Sequence, residues 1–283
     1  MKWLPRLSEP PALTAYRAAN LADVAATGTA AKAAWNRLRD DPAYKQVQSA
    51  LFAAQQGLCA YCEQRLTTTE TGEVLKLDQQ VEHVLPKSGG AGRTLDATNL
   101  VLCCGGGCFS HTKDKTRHLA GKNNVSCGQT KGDLELGRGC DPRDFPLLYS
   151  IVDIRLDGTL VAEPTACTKA GISPADLDRT INDILNLNCD RLRSAREKVL
   201  NDVRLVIVDC LKYATAGRRL PQEKINQAFL GLIECRLCPD LHGHLSAFWT
   251  TERKYLEPLA DSWITNNAHL FGWSDTKAHE NDV

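Results

Sequence analysis

The spacing of its cysteines limits what this chain can fold into more than any other feature. Cys59-Ala60-Tyr61-Cys62 has the C-x2-C form of a knuckle, in which a tight turn brings two thiolates to one tetrahedral metal. Alone, the pair fits a redox motif or two buried cysteines equally well. A second group follows at Cys103, Cys104, Cys108 and Cys127, with more sulfur than one four-ligand site needs. Six of the twelve cysteines fall between Cys59 and Cys127, clustered with His83, His111 and His118. No apolar run reaches the roughly 18 residues of a membrane span, and the opening Met1-Lys2-Trp3-Leu4-Pro5-Arg6 lacks the apolar core of a signal peptide. A cytoplasmic, reducing setting is therefore expected. There, clustered cysteines serve as metal ligands rather than disulfides, which predicts a structural zinc.

Between the cysteine groups, Leu75 to Val84 reads as a strand carrying Glu82 and His83 and ended by Pro86. Lys87-Ser88-Gly89-Gly90-Ala91-Gly92 is a loop, and Asn99-Leu100-Val101-Leu102 leads into the second group. The order of knuckle, strand, loop, asparagine and second knuckle predicts two strands and a helix folded around zinc. The flanks are helical. Leu13 to about Arg39 is alanine-rich and predicts two helices broken near Gly28, and a third should run from about Ala43 to Gln56 with Gly57 as its stop. Beyond the core, Leu147 to Ile154 and Leu160 to Ala162 read as a hairpin turning at Asp157-Gly158. Helices should follow from Ser173-Pro174 to about Leu187, from Asn188 to about Ala214 and from Pro221 to Cys235, with a helical apolar face over Leu245 to Phe271. The expected architecture is α+β, with a helical segment at 1–56, the cysteine-bearing core at 57–146, and a hairpin followed by helices at 147–283. Cys235, Cys238, His242 and His244 could ligate a second zinc, but the Cys238 to His242 spacing is too short for a finger, and the cysteines read as the end of a packed helix.

Charge says less. Lys plus Arg and Asp plus Glu are equal at 34 each, which removes the support a basic chain would lend to nucleic-acid binding through counterion release. A local patch remains, since Lys113, Lys115, Arg117, His118 and Lys122 stand against Asp114 alone. This stretch reads equally as a phosphate-backbone contact or a solvated loop.

The pattern C-x2-C, then Glu82-His83-x-x-Pro86-Lys87, then Asn99-Leu100 followed by cysteine, then Cys127-Gly128-x-x-Lys131-Gly132, resembles an HNH endonuclease with its zinc-supported ββα-metal core. More narrowly it is similar to the retron- and Septu-associated (PtuB-like) HNH proteins of bacterial anti-phage defence. Asp141-Pro142 with Phe145, the Leu156-to-Leu160 turn, and Thr180-Ile181 through Leu185-Asn186-Leu187-Asn188 to Leu192 and Arg196 extend that likeness. The resemblance implies His83 as general base, Glu82 as ligand of a catalytic magnesium or manganese ion, and Asn99 as the residue that orients His83 through its side-chain amide. It favours Cys59, Cys62, Cys104 and Cys127 as the zinc ligands, with Cys103 or Cys108 as alternatives to Cys104. Lys87 and Lys131 are candidate phosphate contacts. HNH proteins usually carry a histidine or asparagine just after the last knuckle cysteine, whereas here Gly128 and Gln129 follow Cys127; Gln129, or else His111, is the candidate second metal ligand. By the same resemblance the substrate is DNA or RNA and the partner an ATPase that restrains the nuclease. Two other readings compete: a non-catalytic zinc ribbon that binds nucleic acid or protein, in which Glu82, His83 and Asn99 are incidental, and a thiol redox protein using Cys59 and Cys62, which calls for a βαβ setting absent here.

Overall fold

Prolines mark where several helices begin, because a fixed φ suits the first turn and its missing N–H has no intrahelical partner to lose. In the computed structural model, which describes residues 1–66, 79–108, 122–215 and 221–272, the chain opens with helices α1 (Pro11–Ala19), α2 (Leu21–Val24), α3 (Gly28–Asp40) and α4 (Pro42–Ala54). Helices α1 and α4 start on proline, and Asp41 caps α4 by accepting from Ala43 N at 2.8 Å. Their apolar residues at i, i+3 and i+4 turn inward: Ala31, Ala34, Trp35 and Leu38 from α3, and Ala43, Val47 and Leu51 from α4. The breaks at Gly28 and Gly57, both with positive φ, fall where the glycines put them. Asn20 adds a further break that the alanine-rich pattern hides.

Helix α4 delivers the chain to the Cys59 knuckle, and Gln55 fixes the junction. Its buried amide donates to Leu58 O at 2.9 Å and Leu102 O at 2.7 Å, and accepts from Leu102 N at 2.6 Å. Strands β1 (Gln79–His83) and β2 (Leu100–Cys104) pair antiparallel, with Glu82 opposite Val101 and His83 opposite Leu100. The strand expected from Leu75 is described only from Gln79. One helical turn, α5 (Gly128–Lys131), follows Cys127.

The second sheet is the hairpin of β3 (Val152–Ile154) and β4 (Leu160–Ala162), closed at Gly158, where φ is +78° and an added Cβ would lie 2.1 Å from Arg193 O. Helices α6 (Pro164–Lys169), α7 (Pro174–Arg179), α8 (Asp190–Thr215), α9 (Gln222–Leu237), α10 (Trp249–Tyr255) and α11 (Leu259–Asn266) complete the described chain. Two expectations of single helices meet interruptions. The helix that begins after Ser173 opens at Thr180 into a wider π turn, Thr180–Ile184, that brings Asn186 to a positive φ. The apolar face over Leu245 to Phe271 is split between α10 and α11, because Pro258 starts a new helix instead of continuing the old one.

The fold is therefore α+β, two small separate sheets set among helices. Buried apolar residues form a continuous core from Trp3 and Leu4 through Tyr61, Leu102 and Phe145 to Leu192, Trp249 and Ile264. Polar struts lock the later helices to the knuckle. Glu63 accepts from Thr250 N at 2.7 Å and Thr250 Oγ1 at 2.6 Å, and Asn186 Nδ2 donates to Val125 O at 2.8 Å. No helix of the described residues is long and apolar enough to cross a membrane.

Candidate active site and metal centre

Antiparallel pairing sends successive side chains to opposite faces, so Cys103 and Cys104 cannot serve the same site. Cys104 joins Cys59, Cys62 and Cys127 in a buried cluster whose sulfur atoms all lie within 4.8 Å of one another. The separations are 3.6 Å for Cys62–Cys104, 3.8 Å for Cys104–Cys127 and 3.9 Å for Cys59–Cys127. A tetrahedral zinc with sulfur bonds of about 2.3 Å requires edges of about 3.8 Å. The donor set therefore fits zinc. Backbone N–H groups point at the sulfurs, Cys104 N at Cys59 Sγ (3.3 Å) and Gly106 N at Cys104 Sγ (3.4 Å), as a thiolate cluster demands. Hydrogen bonding from Cys127, Cys59 and Cys62 holds Cys104 well below the ordinary thiol range, while burial pushes Cys62 and Cys127 well above it.

Cys103 faces away from the cluster and accepts from Gln80 Nε2 at 3.6 Å; Cys108 lies outside it as well. Arg191, from the first turn of α8, braces the cluster from behind. Its guanidinium donates to Gln64 Oε1 and Ser126 Oγ, both at 2.7 Å, and the thiolates nearby favour its charge. Among the described residues no second group of metal-ligating side chains converges. Cys238 ends α9, and His244 packs edge-on against Phe52 with centroids 5.0 Å apart.

On the cleft side of β1, His83 is 5 % exposed, and its ring meets Trp35 edge-on at a centroid separation of 4.4 Å. Its Nε2 lies 2.9 Å from Thr94 O. A carbonyl only accepts, so Nε2 carries the hydrogen and Nδ1 keeps its lone pair. Nδ1 has no hydrogen-bond partner among the described residues. Burial depresses the His83 pKa to about 4, with the Lys87 and Lys131 charges adding and the Thr94 bond opposing.

Asn99 is buried and turned to the loop between the strands. Its Oδ1 accepts from Leu85 N at 2.8 Å, and its Nδ2 donates to Leu85 O at 2.9 Å and Arg93 O at 3.0 Å. Its amide does not bond His83 directly. It holds Arg93, whose neighbour Thr94 holds His83.

Glu82 is half-buried, and burial raises its carboxyl above the usual range against the pull of Lys131. Lys131 itself is 1 % exposed, with its ammonium on Glu82 Oε1 at 3.2 Å, His83 O at 2.9 Å and Gly132 O at 3.3 Å. It is an interior counter-ion to Glu82. Lys87 is half-buried and lines the cleft without a described ion-pair partner. Gln129 donates to Gln80 Oε1 at 2.7 Å, beside the cleft rather than in its lining. Gly128 packs so close to β1 that an added Cβ would lie 2.8 Å from Gln80 Nε2 and 2.9 Å from Glu82 Oε2. His111, Lys113, Asp114, Lys115, Arg117 and His118 lie outside the described residues, as does the side chain of Lys122.

The cleft has a volume of about 160 Å3, and Trp35, Glu82, His83, Lys87 and Asp133 are among the residues that line it. Sequence reasoning missed Trp35, Thr94 and Asp133. Thr94 acts through a backbone carbonyl and leaves no side-chain signal, while Asp133 follows the last motif glycine immediately and could have been considered from that position.

No family profile matches the chain. It is similar to an Escherichia coli protein named "Retron Ec83 putative HNH endonuclease", with 29% identity over 178 residues. The aligned region is 56% of this chain and 65% of that relative's length. This similarity supports the HNH resemblance drawn from the motifs and, with it, a nuclease role.

Proposed function

We propose that the protein is a metal-dependent HNH endonuclease that hydrolyses phosphodiester bonds of DNA or RNA in the cleft between β1 and the end of α5. The observation that carries this reading is His83: a desolvated imidazole, tautomer fixed by Thr94 O, with a free Nδ1 and an acidic neighbour on a strand paired with the one that supplies Cys104 to a four-thiol cluster. A zinc ribbon that only binds has no need of such a group.

In this reading β1, β2 and α5 form the ββα-metal core within residues 57–146, the four thiolates hold zinc, and the segments at 1–56 and 147–283 brace it. Nδ1 of His83 takes the proton from the attacking water, and its low pKa keeps it in the neutral, accepting form at physiological pH. Thr94 O stabilises the resulting imidazolium through Nε2–H. Asn99 serves catalysis as a positioning residue by fixing the loop that carries Thr94. Lys87 faces the incoming phosphate, whereas Lys131 acts from beneath, on Glu82. Oxygen donors in a polar cleft fit a hard divalent cation, with Glu82 as one ligand, while Gln129 beside it ties α5 to β1 through Gln80. Magnesium or manganese, when bound, would neutralise charge developing on the phosphate. If the chemistry follows the HNH pattern, the product carries a 5′-phosphate.

The likeness to a retron-associated protein supports a finer reading: a cytoplasmic nuclease effector of a bacterial anti-phage system of retron or Septu type, restrained by an ATPase partner. The test is cleavage of plasmid DNA and total cellular RNA in magnesium or manganese, alone and with the proposed ATPase partner. Wild type should cut one substrate and EDTA should stop it. His83→Ala, folded and with zinc retained, should lose about 10²- to 10⁴-fold in rate. Equal cutting by both proteins would sink the reading.

A further inference from the structure

In HNH proteins the position after the last knuckle cysteine usually supplies a side chain to the catalytic metal. Here that position is Gly128, packed so tightly that a Cβ would come within 2.9 Å of Glu82 Oε2. The next residue, Gln129, turns its amide nitrogen to Gln80 Oε1 and lies beside the cleft rather than in its lining. Glu82 thus has no ligating neighbour at the start of α5. It also has a charge problem. The Lys131 ammonium on its Oε1 leaves the pair close to neutral, a poor offer to a dication.

A second carboxylate lies at the other end of the same turn. After Lys131 passes beneath Glu82, Gly132 adopts a φ of +51° and reverses the chain, and Asp133 emerges on the wall of the cleft that Glu82 and His83 line. Asp133 is exposed and makes no hydrogen bond or ion pair with any described residue. His83, 5 % exposed, lines the same cleft, and its Nδ1 has no partner among the described residues. With Asp133 included, two carboxylates balance the Lys131 and Lys87 ammonium groups, which would otherwise outnumber Glu82. Magnesium and manganese are held in such sites by one or two carboxylates, with waters and substrate phosphate filling the rest.

We propose that Asp133, in place of a side chain after Cys127, is the second protein ligand of the divalent cation that Glu82 holds beside His83. This rests on the nuclease reading above, and its geometry differs from the usual one only in taking the ligand from the end of the helical turn. The side chain of Gln129 then serves to fix α5 against β1 through Gln80.

Manganese binding to the zinc-loaded full chain, followed by the electron paramagnetic resonance of free Mn2+, separates the two proposals. Asp133→Asn and Glu82→Gln should each weaken binding by at least about tenfold, since even outer-sphere partners of metal ligands cost that much. Glu135→Gln, two residues along and paired with Arg93, should leave binding unchanged, which excludes a general charge effect. Cleavage by Asp133→Asn should recover in part as manganese is raised. If Glu82→Gln loses manganese but Asp133→Asn binds like wild type, Asp133 is not a ligand and the nuclease reading stands. If neither substitution changes manganese binding, or wild type binds none, the cation site at Glu82 is wrong and both proposals fall.

Discussion

Asn99 offers the sharpest test of how the site is held, because a direct chemical role and a positioning role predict opposite behaviour for one substitution. The side chain is 4 % exposed and makes three hydrogen bonds, accepting from Leu85 N and donating to Leu85 O and Arg93 O. Asn99→Ala removes all three and leaves three backbone groups with no protein partner. At about 1 kcal/mol net for each bond, the loss is about 3 kcal/mol. For a chain of this size that lowers Tm by roughly 5 °C. Asn99→Asp keeps the acceptor for Leu85 N but turns a second oxygen toward two carbonyls, in a buried site with no cation against it. It should destabilise at least as much as alanine at neutral pH and recover partly in acid, where a protonated carboxyl can donate again. Thermal unfolding by circular dichroism at two pH values measures both, and cleavage below the transition should fall as Thr94 O loosens from His83. An Asn99→Asp protein as stable as wild type at pH 7, with activity altered, would refute the positioning role and place the side chain at the reacting phosphate.

Two further outcomes follow from the same geometry. The unfolded chain protonates His83 near its ordinary value of about 6.5, whereas the folded protein resists until about 4. Between those values the unfolded state binds more protons, so stability attributable to His83 is full above about pH 6.5 and falls by up to about 3 kcal/mol as pH drops toward 4. Tm measured against pH should show this loss in wild type and a flatter profile in His83→Gln; parallel curves would assign it elsewhere. Zinc measured by release to a colorimetric chelator on thiol modification should be about one equivalent in wild type, reduced in Cys104→Ser with a loss of folded core, and unchanged in Cys103→Ser. Equal zinc in the two variants would contradict the assignment of Cys104 to the cluster.

Much of this arrangement is legible in the residue order, because some of it depends only on local rules. The C-x2-C turn and strand alternation decide which sulfurs can meet, and prolines, glycines and caps place α4, the β3–β4 hairpin, α7 and α9. What is not legible depends on contacts between distant segments. Asn99 reads as a residue that would reach His83, but the loop from Leu85 to Arg93 folds back onto its amide first. Lys131 reads as a candidate phosphate contact, yet it is 1 % exposed, and Glu82 and two backbone carbonyls offset the cost of burying it. Gln55 looks like an ordinary residue at a helix end and proves to be the pin between α4 and β2. The split of the Leu245–Phe271 face likewise reflects Pro258, which the apolar periodicity alone overrides.

The thiol cluster and the cleft share no residue, yet one short element makes them a single device. Cys127, a member of the cluster, is the N-cap of α5, which ends at Lys131, the counter-ion of Glu82. Four residues in one helical turn transmit the position of Cys127 Sγ directly to the ammonium beneath Glu82. At the other strand, Cys104 holds β2 from the cluster side, and the antiparallel register carries that constraint to Glu82 and His83 through Val101 and Leu100. Arg191 and Asn186 extend the bracing to α8 and the turn before it, which explains why residues far along the chain share the motif's likeness without approaching the cleft. Loss of the cluster metal would therefore release Lys131 and the Gly132 reversal together, and the spacing between Glu82 and Asp133 with them. If the cluster holds zinc and the cleft cuts phosphodiesters as proposed, cleavage should fall on zinc removal although no cluster thiol lines the cleft, because Cys127 then no longer fixes the start of the turn, which the Gln129–Gln80 and Lys131–Glu82 contacts alone must hold against β1.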